Sequence, residues 1–328
     1  MGDTAKDTRQ RIVAFTETRD LVVKERVLRM LLFGSKETRT RAKAERLFGQ
    51  GIEAMHRDNY RRATARFEQA MNLYRMIPGT EEEEAACLKC LAAILLALDK
   101  LSESESSFRH ALTLYQKIPG TKENQADCLY ALAITLYRQG IPVDAEFIYR
   151  QSLVLYQALP GTELDQADCL YNLAIALSDQ NKSTEAESVR RQALALYQTI
   201  PSTQHEQARC LYNLTNTLHK LGKNAQAEPL YRQAITLYQT IPGTQQKQAN
   251  CLNNLATTLD DLGKPAQAES LYYQALTLYQ KIPGTEYEQA TSTYSLATTL
   301  LSQGKLDPTE ALYQDALKQA VSAALFND

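Results

Sequence analysis

The sequence has no tryptophan and only four histidines among its 328 residues. The histidines are His56, His110, His205 and His219. Their spacings are unrelated, so no pair is placed as two metal ligands or as an acid–base couple. The chain also shows no phosphate-binding glycine loop, nucleophile elbow or paired-carboxylate pattern. We therefore expect no catalytic residues, no metal and no cofactor.

Long apolar stretches are missing too. No run approaches the ~20 apolar residues that a membrane-spanning helix needs. The first residues do not show the charged start, apolar stretch and cleavage site of a secretory signal. These absences predict a cytoplasmic protein, with membrane contact open only through its N-terminal segment.

Proline and glycine are sparse, with 10 and 13 residues, and their placement is regular. Six prolines recur at intervals of 41 residues: Pro78, Pro119, Pro160, Pro201, Pro242 and Pro283. Most of them stand in the sequence Ile-Pro-Gly-Thr. A fixed period of this length predicts one supersecondary unit stacked on copies of itself.

Each unit contains two apolar-periodic stretches. In the clearest copy we predict helix A over 167–180 and helix B over 184–200, because apolar and small residues fall at the i, i+3, i+4, i+7 spacing. Helix A is predicted to begin near Ala44, Ala85, Ala126, Ala167, Ala208, Ala249 and Ala290, which gives seven units. The threonine after each Pro-Gly turn is expected to cap the next helix, with a capping box where Glu follows three residues later. Because Ser202 replaces one turn glycine, a positive φ is not expected to be obligatory there.

The unit resembles the tetratricopeptide repeat. Repeat one carries the small and aromatic residues of the generic pattern at Gly51, Tyr60, Ala63, Phe67 and Ala70. Later copies, such as residues 251–279, are similar to the longer repeats of kinesin light chains. The resemblance implies an all-α, right-handed α-α superhelix, or solenoid, of about seven helical hairpins over residues 41–328. It also implies a scaffold for protein interactions that does no chemistry of its own.

Three repeats depart from the pattern. Arg190 replaces the helix B aromatic of repeat four, which predicts different packing there. Pro229 lies inside helix B of repeat five and is expected to delay its start or bend it. In the last repeat Thr293, Gln319 and Ala320 replace apolar residues, which predicts a cap that faces water.

Five of the six cysteines occupy one position of successive repeats: Cys87, Cys128, Cys169, Cys210 and Cys251. Their period predicts a packing role at the flank of the core. Cys90 completes a Cys-x-x-Cys pair, which is half of a zinc or redox motif. No second pair accompanies it, so we expect no metal. A helical wheel places Cys90 away from the core, as a modifiable thiol.

The side of helix A opposite its apolar stripe is the candidate binding surface, since in tetratricopeptide proteins this side lines the concave groove. It carries tyrosine and asparagine rows and a basic group in repeat five. The candidate residues are Tyr130, Tyr171, Asn172, Arg209, Tyr212, Asn213, Asn216, Lys220, Asn253 and Asn254, with His219 beside Lys220. Asparagine amides can hold a peptide main chain, tyrosines add contact area, and the cations suit an acidic group. The alternative explanation of these recurring residues is that repeats were copied by duplication, so that their surfaces are alike without binding a ligand.

Residues 1–40 form a separate segment. Residues 1–46 hold 12 Lys and Arg against 7 Asp and Glu, a net charge of +5, whereas the remainder has 24 against 31, or −7. The stretch from Leu21 to Phe33 has the pattern of an amphipathic helix. It can cap the first repeat, occupy the groove or contact an anionic partner or membrane surface.

Three functions remain open. The first is a scaffold that binds an extended or helical peptide segment of a partner protein. The second is a regulatory or host-targeting switch in which the basic N-terminal helix gates the groove. The third and weakest is an unrecognised enzyme. Nucleic acid is not expected as a partner, because the basic residues are interleaved with acidic ones. The sequence alone names neither the partner nor the oligomeric state.

Overall fold

The computed structural model describes residues 36–325, with side chains to residue 320. The predicted helix at 21–33 lies outside this range. The described part contains fourteen helices and no strand, and in six of the seven repeats helix A packs against its own helix B as a hairpin. The all-α repeat fold is therefore confirmed, while the right-handed superhelix stays a prediction. The chain divides into two compact units, Met1–Gln180 and Asn181–Asp328.

In the first unit the described helices are α1 (Lys36–His56), α2 (Tyr60–Tyr74), α3 (Glu81–Ala97), α4 (Leu101–Tyr115), α5 (Lys122–Arg138), α6 (Pro142–Gln157) and α7 (Glu163–Asp179). In the second unit they are α8 (Ser183–Thr199), α9 (Gln204–Lys220), α10 (Asn224–Thr240), α11 (Gln245–Asp261), α12 (Pro265–Tyr279), α13 (Glu286–Ser302) and α14 (Leu306–Leu325). Odd numbers from α1 to α13 are helix A, and α8 is the helix B that belongs with α7 in sequence.

Helix A begins earlier than predicted. From α3 onward each starts four residues before the predicted alanine, and α1 already includes Lys36, the first described residue, which lies eight residues before Ala44. The added first turn is polar and in several repeats acidic, as in α3 and α7. The apolar pattern cannot reveal this turn because the turn is polar. The acidic residues in it were a usable signal, since they stabilise a helix N-terminus.

The turn threonines do not cap helix A, which is a correction to the sequence prediction. Each hydroxyl instead points back to two carbonyl oxygens at the end of the preceding helix B, which share its single hydrogen. At Thr244 these are the Tyr238 and Ile241 oxygens, both at 2.7 Å. The same pair of bonds forms at Thr80, Thr121, Thr162, Thr203 and Thr285. Each threonine thus ties one repeat to the next by satisfying buried carbonyl groups.

Ser202 has a φ of 65°, so the positive angle of the Pro-Gly turn is kept where glycine is absent. The sequence prediction for this position was wrong. The equivalent Gly243 has a φ of 78°. A left-handed conformation costs an L-residue such as serine roughly 1–2 kcal/mol. Glycine avoids this cost, but it loses more backbone entropy on folding, which offsets part of the advantage.

We expect Ser202→Gly to raise the unfolding free energy by up to ~1 kcal/mol, because it removes this backbone strain. Urea unfolding followed by circular dichroism measures the change. Gly243→Ser is the matched control and should change the midpoint in the opposite direction. A lower midpoint for Ser202→Gly would contradict the assignment of strain.

Helix B connects successive hairpins of the second unit through a ladder of ion pairs. Glu187 meets Lys223 at 2.6 Å, Glu228 meets Lys264 at 2.8 Å and Glu269 meets Lys305 at 2.6 Å. The lysine lies 36 residues after the glutamate every time. Hydrogen bonds from Lys264 and Arg232 lower the pKa of Glu228. The ladder gives each hairpin the same polar contact with its neighbour.

The departures of repeats four, five and seven are accommodated locally. Arg190 is buried, and its guanidinium donates to the Thr217 hydroxyl. Helix α10 runs through Pro229 from Asn224, so its start is not delayed. Thr293 is buried and its hydroxyl lies 3.3 Å from the Gln319 side-chain oxygen, so two residues that replace apolar ones pair with each other.

Candidate functional site

In the first unit the predicted exposure of the tyrosine and asparagine rows was wrong. Tyr130, Tyr171 and Asn172 are all buried. The Asn172 amide nitrogen donates to the Tyr130 hydroxyl at 2.7 Å and to the Asp168 carbonyl at 3.0 Å. The reason is that helix A also packs against helix B of the preceding repeat and, less extensively, against the neighbouring helix A. In this unit the two rows bind each other across the repeat boundary.

The second unit repeats this pair with more solvent access. The Asn254 amide nitrogen lies 3.4 Å from the Tyr212 hydroxyl, and both residues are half-buried. It also donates to the Asn216 oxygen at 3.1 Å, which accepts from the Tyr231 hydroxyl at 2.7 Å as well. The asparagines therefore stabilise contacts between repeats before they can serve any ligand.

The chain of bonds continues to the last repeat. Asn253 donates to the Asn254 oxygen at 3.4 Å, and its own oxygen accepts from the Ser292 hydroxyl at 2.7 Å. We call Tyr231, Asn216, Asn254, Asn253 and Ser292 the asparagine network. Sequence reasoning missed its two ends, Tyr231 and Ser292. The sequence did contain a signal for the tyrosine–asparagine pairs. Asn172 follows Tyr130, and Asn254 follows Tyr212, by 42 residues, which is one period plus one residue.

Some hydrogen-bond donors of the network are not used up. The Asn216 side chain also hydrogen-bonds the Tyr212 phenol, which uses one of the two hydrogens of its amide nitrogen and leaves the other. Asn253 donates one of its two amide hydrogens to Asn254, so the other stays available. Burial raises the pKa of the Tyr212 phenol, so this hydroxyl keeps its proton while it accepts from Asn254. The half-buried face of α9 and α11 is thus rich in donors.

The predicted basic group is only partly available. Lys220 is exposed and has no ion-pair or hydrogen-bond partner within residues 36–320. His219 is engaged, with Nδ1 3.1 Å from the Asn224 side-chain oxygen and 3.5 Å from an Asp261 oxygen. Arg209 and Asn213 are half-buried, and both take part in interactions of the fold. Lys220 is the clearest free cation on this face.

Acidic groups beside this face are also bonded. Asp260 accepts from the Thr299 hydroxyl at 2.5 Å, and burial raises the pKa of its carboxyl group. In the first unit Lys89 is buried, and its ammonium group bonds to Asn124 and Asp127. The Lys89 ammonium group therefore stabilises the fold and is not available to a ligand.

All six cysteines are buried, including Cys90. Its predicted exposure was wrong, because α3 is covered on two sides and Cys90 packs with Ile52, Met55, Phe67 and Ile94. The five periodic cysteines have the packing position that was predicted. The Cys169 thiol donates to the Tyr149 carbonyl at 3.2 Å, and Cys210 makes the equivalent bond to Arg190 at 3.4 Å.

Two findings limit the kinds of site in the described part of the chain. It contains no group of three or more His, Cys, Asp or Glu placed to hold a metal ion. None of its helices combines the length and the apolar character that crossing a bilayer requires.

Stacked helical hairpins with a polar helix A face define a protein-interaction scaffold of the helical-repeat class. The tetratricopeptide repeat family model matches residues 84–158, 165–240 and 247–320, which is more than half of the chain. The chain therefore belongs to the tetratricopeptide repeat family. No curated protein matches it significantly.

Solved structures share the fold at low sequence identity. BtubC (BKLC) from P. vanneervenii is 20% identical with a TM-score of 0.57, over 67% of this chain and 90% of that one. The quorum sensor NprR from B. thuringiensis is 10% identical with a TM-score of 0.59, over 97% and 98%. Repeats of a putative kinesin light chain from Podosopora anserina are 16% identical with a TM-score of 0.53, over 63% and 99%. The predicted likeness to kinesin light chain repeats is thus confirmed at the level of fold.

Proposed function

We propose that this scaffold binds an extended peptide segment of a partner protein along the helix A face of the second unit, on α9 and α11. The observation that carries the proposal is the Asn216 amide group in the middle of the asparagine network, whose nitrogen keeps one hydrogen beyond its bond to Tyr212. Its oxygen is held by Tyr231 and Asn254, so the amide group is fixed and its two hydrogens have a set direction.

A fixed row of donors suits a peptide main chain. The carbonyl oxygens of an extended peptide are acceptors, and Asn216, Asn253 and Tyr212 each keep a donor for them. Such contacts do not select side chains, because every residue carries the same carbonyl group. Tyr212 adds stiff contact area at little entropy cost.

Lys220 supplies the selective element. It stands exposed at the end of α9, and its ammonium group favours an acidic residue or a carboxyl terminus of the peptide. Tyr130, Tyr171 and Asn172 of the first unit were part of the predicted surface. Their burial supports a role in holding repeats together, so we place the main binding residues in the second unit.

The proposal is tested by selecting binders from a random peptide library with the full chain and measuring affinity by fluorescence anisotropy. We expect Asn216→Ala with Asn253→Ala to weaken binding by roughly 1–3 kcal/mol, as hydrogen bonds to buried ligand groups are lost. Lys220→Glu should weaken acidic peptides and reduce the dependence of their affinity on salt.

The controls change the same chemistry elsewhere in the second unit. Gln233→Ala removes an exposed amide from α10, and Lys281→Glu reverses an exposed charge in a turn. Neither should affect binding. If the controls weaken binding as much as the α9 and α11 variants do, the peptide lies on another surface. The same selection with a form that lacks residues 1–35 tests whether the N-terminal segment gates the groove. If it does, the shortened chain should bind the peptides more tightly.

A further inference from the structure

The last turn of helix A makes the same contact with the next helix A in both units, but with different residues. In the first unit the Tyr137 hydroxyl donates to an oxygen of Asp179 at 2.5 Å. The counterparts in the second unit are His219 and Asp261, with the imidazole Nδ1 3.5 Å from a carboxylate oxygen. One junction thus uses a phenol where the other uses an imidazole.

These two side chains differ in their response to pH. Burial raises the pKa of the Tyr137 phenol, and the hydrogen bond to Asp179 raises it further, so this donor stays neutral. Imidazole is the side chain that ordinarily changes its charge between pH 5 and 8. The second unit therefore holds a titratable group at a position where the first unit holds a neutral one.

The hydrogen bonds around His219 determine which ring nitrogen takes up a proton. The Asn224 amide nitrogen donates to an Asp261 oxygen at 3.0 Å, so the Asn224 amide oxygen is the atom that lies 3.1 Å from Nδ1. Because both groups that face Nδ1 are acceptors, the neutral ring carries its hydrogen on Nδ1. Nε2 makes no hydrogen bond with residues 36–320, and the side chain is 38% exposed. The proton is therefore taken up at Nε2, from solvent.

Other ionisable groups surround His219 on its own helix, on the following turn and on the two helices packed against it. They are Lys220, Lys223, Glu228, Asp260, Asp261 and Lys264. Lys223 and Lys264 are paired with glutamates of helix B, and Asp260 accepts from a threonine hydroxyl. Asp261 forms no ion pair within residues 36–320 other than the one with His219. The charge of Asp261 is therefore offset only when His219 is protonated.

The free ammonium group of Lys220 has a cause in the sequence. Its counterpart in the first unit, Arg138, is bonded to Asp99 at 2.9 Å. The residue equivalent to Asp99 in the second unit is Asn181, which carries no charge. Lys220 thus keeps its charge for a ligand, and Asp261 is the carboxylate beside it that opposes the approach of an anion.

We propose that His219 makes the peptide site of the second unit pH-responsive, so that acidic peptides bind more tightly as the pH falls. This inference rests on the peptide site proposed on α9 and α11. Neutral His219 leaves the Asp261 carboxylate uncompensated next to Lys220, whereas protonated His219 forms an ion pair with it. The face gains one positive charge, which favours an anionic group on the ligand. The partial negative charge at the C-terminal end of α9 also favours the protonated ring.

Fluorescence anisotropy of an acidic peptide from the library selection measures the effect between pH 8 and pH 5.5. We expect its dissociation constant to fall about three- to tenfold as the pH is lowered through the range in which imidazole titrates. The same peptide with Gln and Asn in place of Glu and Asp, and with an amidated C-terminus, should show no such change. His219→Tyr copies the Tyr137 contact with a neutral donor, so it should abolish the pH dependence for the acidic peptide.

His205→Gln is the matched control, because His205 is half-buried and also lies on α9. It is fourteen residues before His219, about 21 Å along the helix, which is beyond the ~8–10 Å over which exposed charges interact. This variant should keep the pH response. A response that survives in His219→Tyr, or affinity for the acidic peptide that is constant with pH, would overturn the inference while leaving peptide binding in place. Loss of the proposed site itself is recognised separately, by an unchanged affinity in Asn216→Ala with Asn253→Ala.

Nitrogen-15 NMR of the histidine rings tests the inference without a ligand. The His219 signals are assigned by their absence in His219→Tyr. At pH 8 the ring should carry its hydrogen on Nδ1, and at pH 5.5 both nitrogens should be protonated. A neutral ring with its hydrogen on Nε2, or a ring that stays neutral down to pH 5.5, would overturn the inference even if no peptide were found.

Discussion

Replacing Asp127 with Ala is expected to lower the unfolding free energy by about 3–5 kcal/mol, the largest effect of a single substitution that we predict. The Lys89 ammonium group is buried, with Nζ 3.0 Å from an Asp127 oxygen and 3.0 Å from the Asn124 oxygen. The variant leaves this buried cation without its counter-charge. Such a loss costs far more than the net worth of the original ion pair.

The charge on Lys89 depends on Asp127. Burial favours the neutral amine and by itself lowers the pKa of Lys89, but neighbouring groups, with Asp127 first among them, together outweigh burial and the pKa is raised. Asp127 is held in turn by the Tyr156 hydroxyl at 2.9 Å. Its second oxygen is thus bonded while the first faces Lys89, so the group is closely fixed.

Thermal and urea unfolding measure the effect, with Arg150→Ala as the control. Arg150 is exposed and pairs with Glu146 of α6, which keeps its hydrogen bond from Gln180 in the variant, and loss of such a surface pair typically costs less than ~1 kcal/mol. The double variant Lys89→Met with Asp127→Leu should recover most of the stability, since it removes both charges. If Asp127→Ala is no worse than Arg150→Ala, the Lys89 ammonium reaches water in solution.

The second large effect concerns the thiols. In the native protein at pH 8 we expect none of the six cysteines to react with a disulfide reagent such as DTNB at the rate of a free thiol, the reaction being slowed by about a hundredfold or more. Burial raises the pKa of Cys90, Cys128, Cys210 and Cys251 to about 12. At pH 8 the reactive thiolate is therefore scarce, and the reagent has no access to it.

Spectrophotometric titration counts the reactive thiols. All six should react quickly in denaturant, which shows that none is lost to a disulfide. Ser106→Cys, at an exposed position of α4, should add one fast thiol to the native protein and serves as the positive control. A single fast thiol in the wild-type chain would restore the sequence expectation for Cys90 and contradict its burial in the α1–α3 contact.

The repeat period was enough to predict the hairpins, the five packed cysteines and the family likeness. It was not enough for the surface, because a helical wheel shows one apolar stripe whereas helix A packs against helices of the neighbouring repeats, mainly the preceding helix B, as well as against its own helix B. Cys90, Tyr130 and Asn172 were assigned to solvent for this reason and are buried. The binding roles of Asn216, Asn253 and Lys220 stay predictions.

Ser202 and the turn threonines show a second limit. Residue preferences describe what a position favours locally, whereas the packed repeat decides what it must adopt. Ser202 takes a positive φ because the turn geometry is common to all repeats. Thr244 turns its hydroxyl towards the preceding helix because buried carbonyl groups there need a hydrogen-bond donor. The residues around the turn do not show this requirement, so it could not be predicted from local sequence.

The ion-pair ladder of helix B also bears on how such a gene can change in length. Glu187, Glu228 and Glu269 all meet a lysine 36 residues later. Recombination between equivalent points of two neighbouring repeats, which deletes one 41-residue period, would bring Glu187 to Lys264 in the same relative place. Because these three junctions share the same ion pair, the second unit can gain or lose a whole repeat in one genetic step and keep this contact.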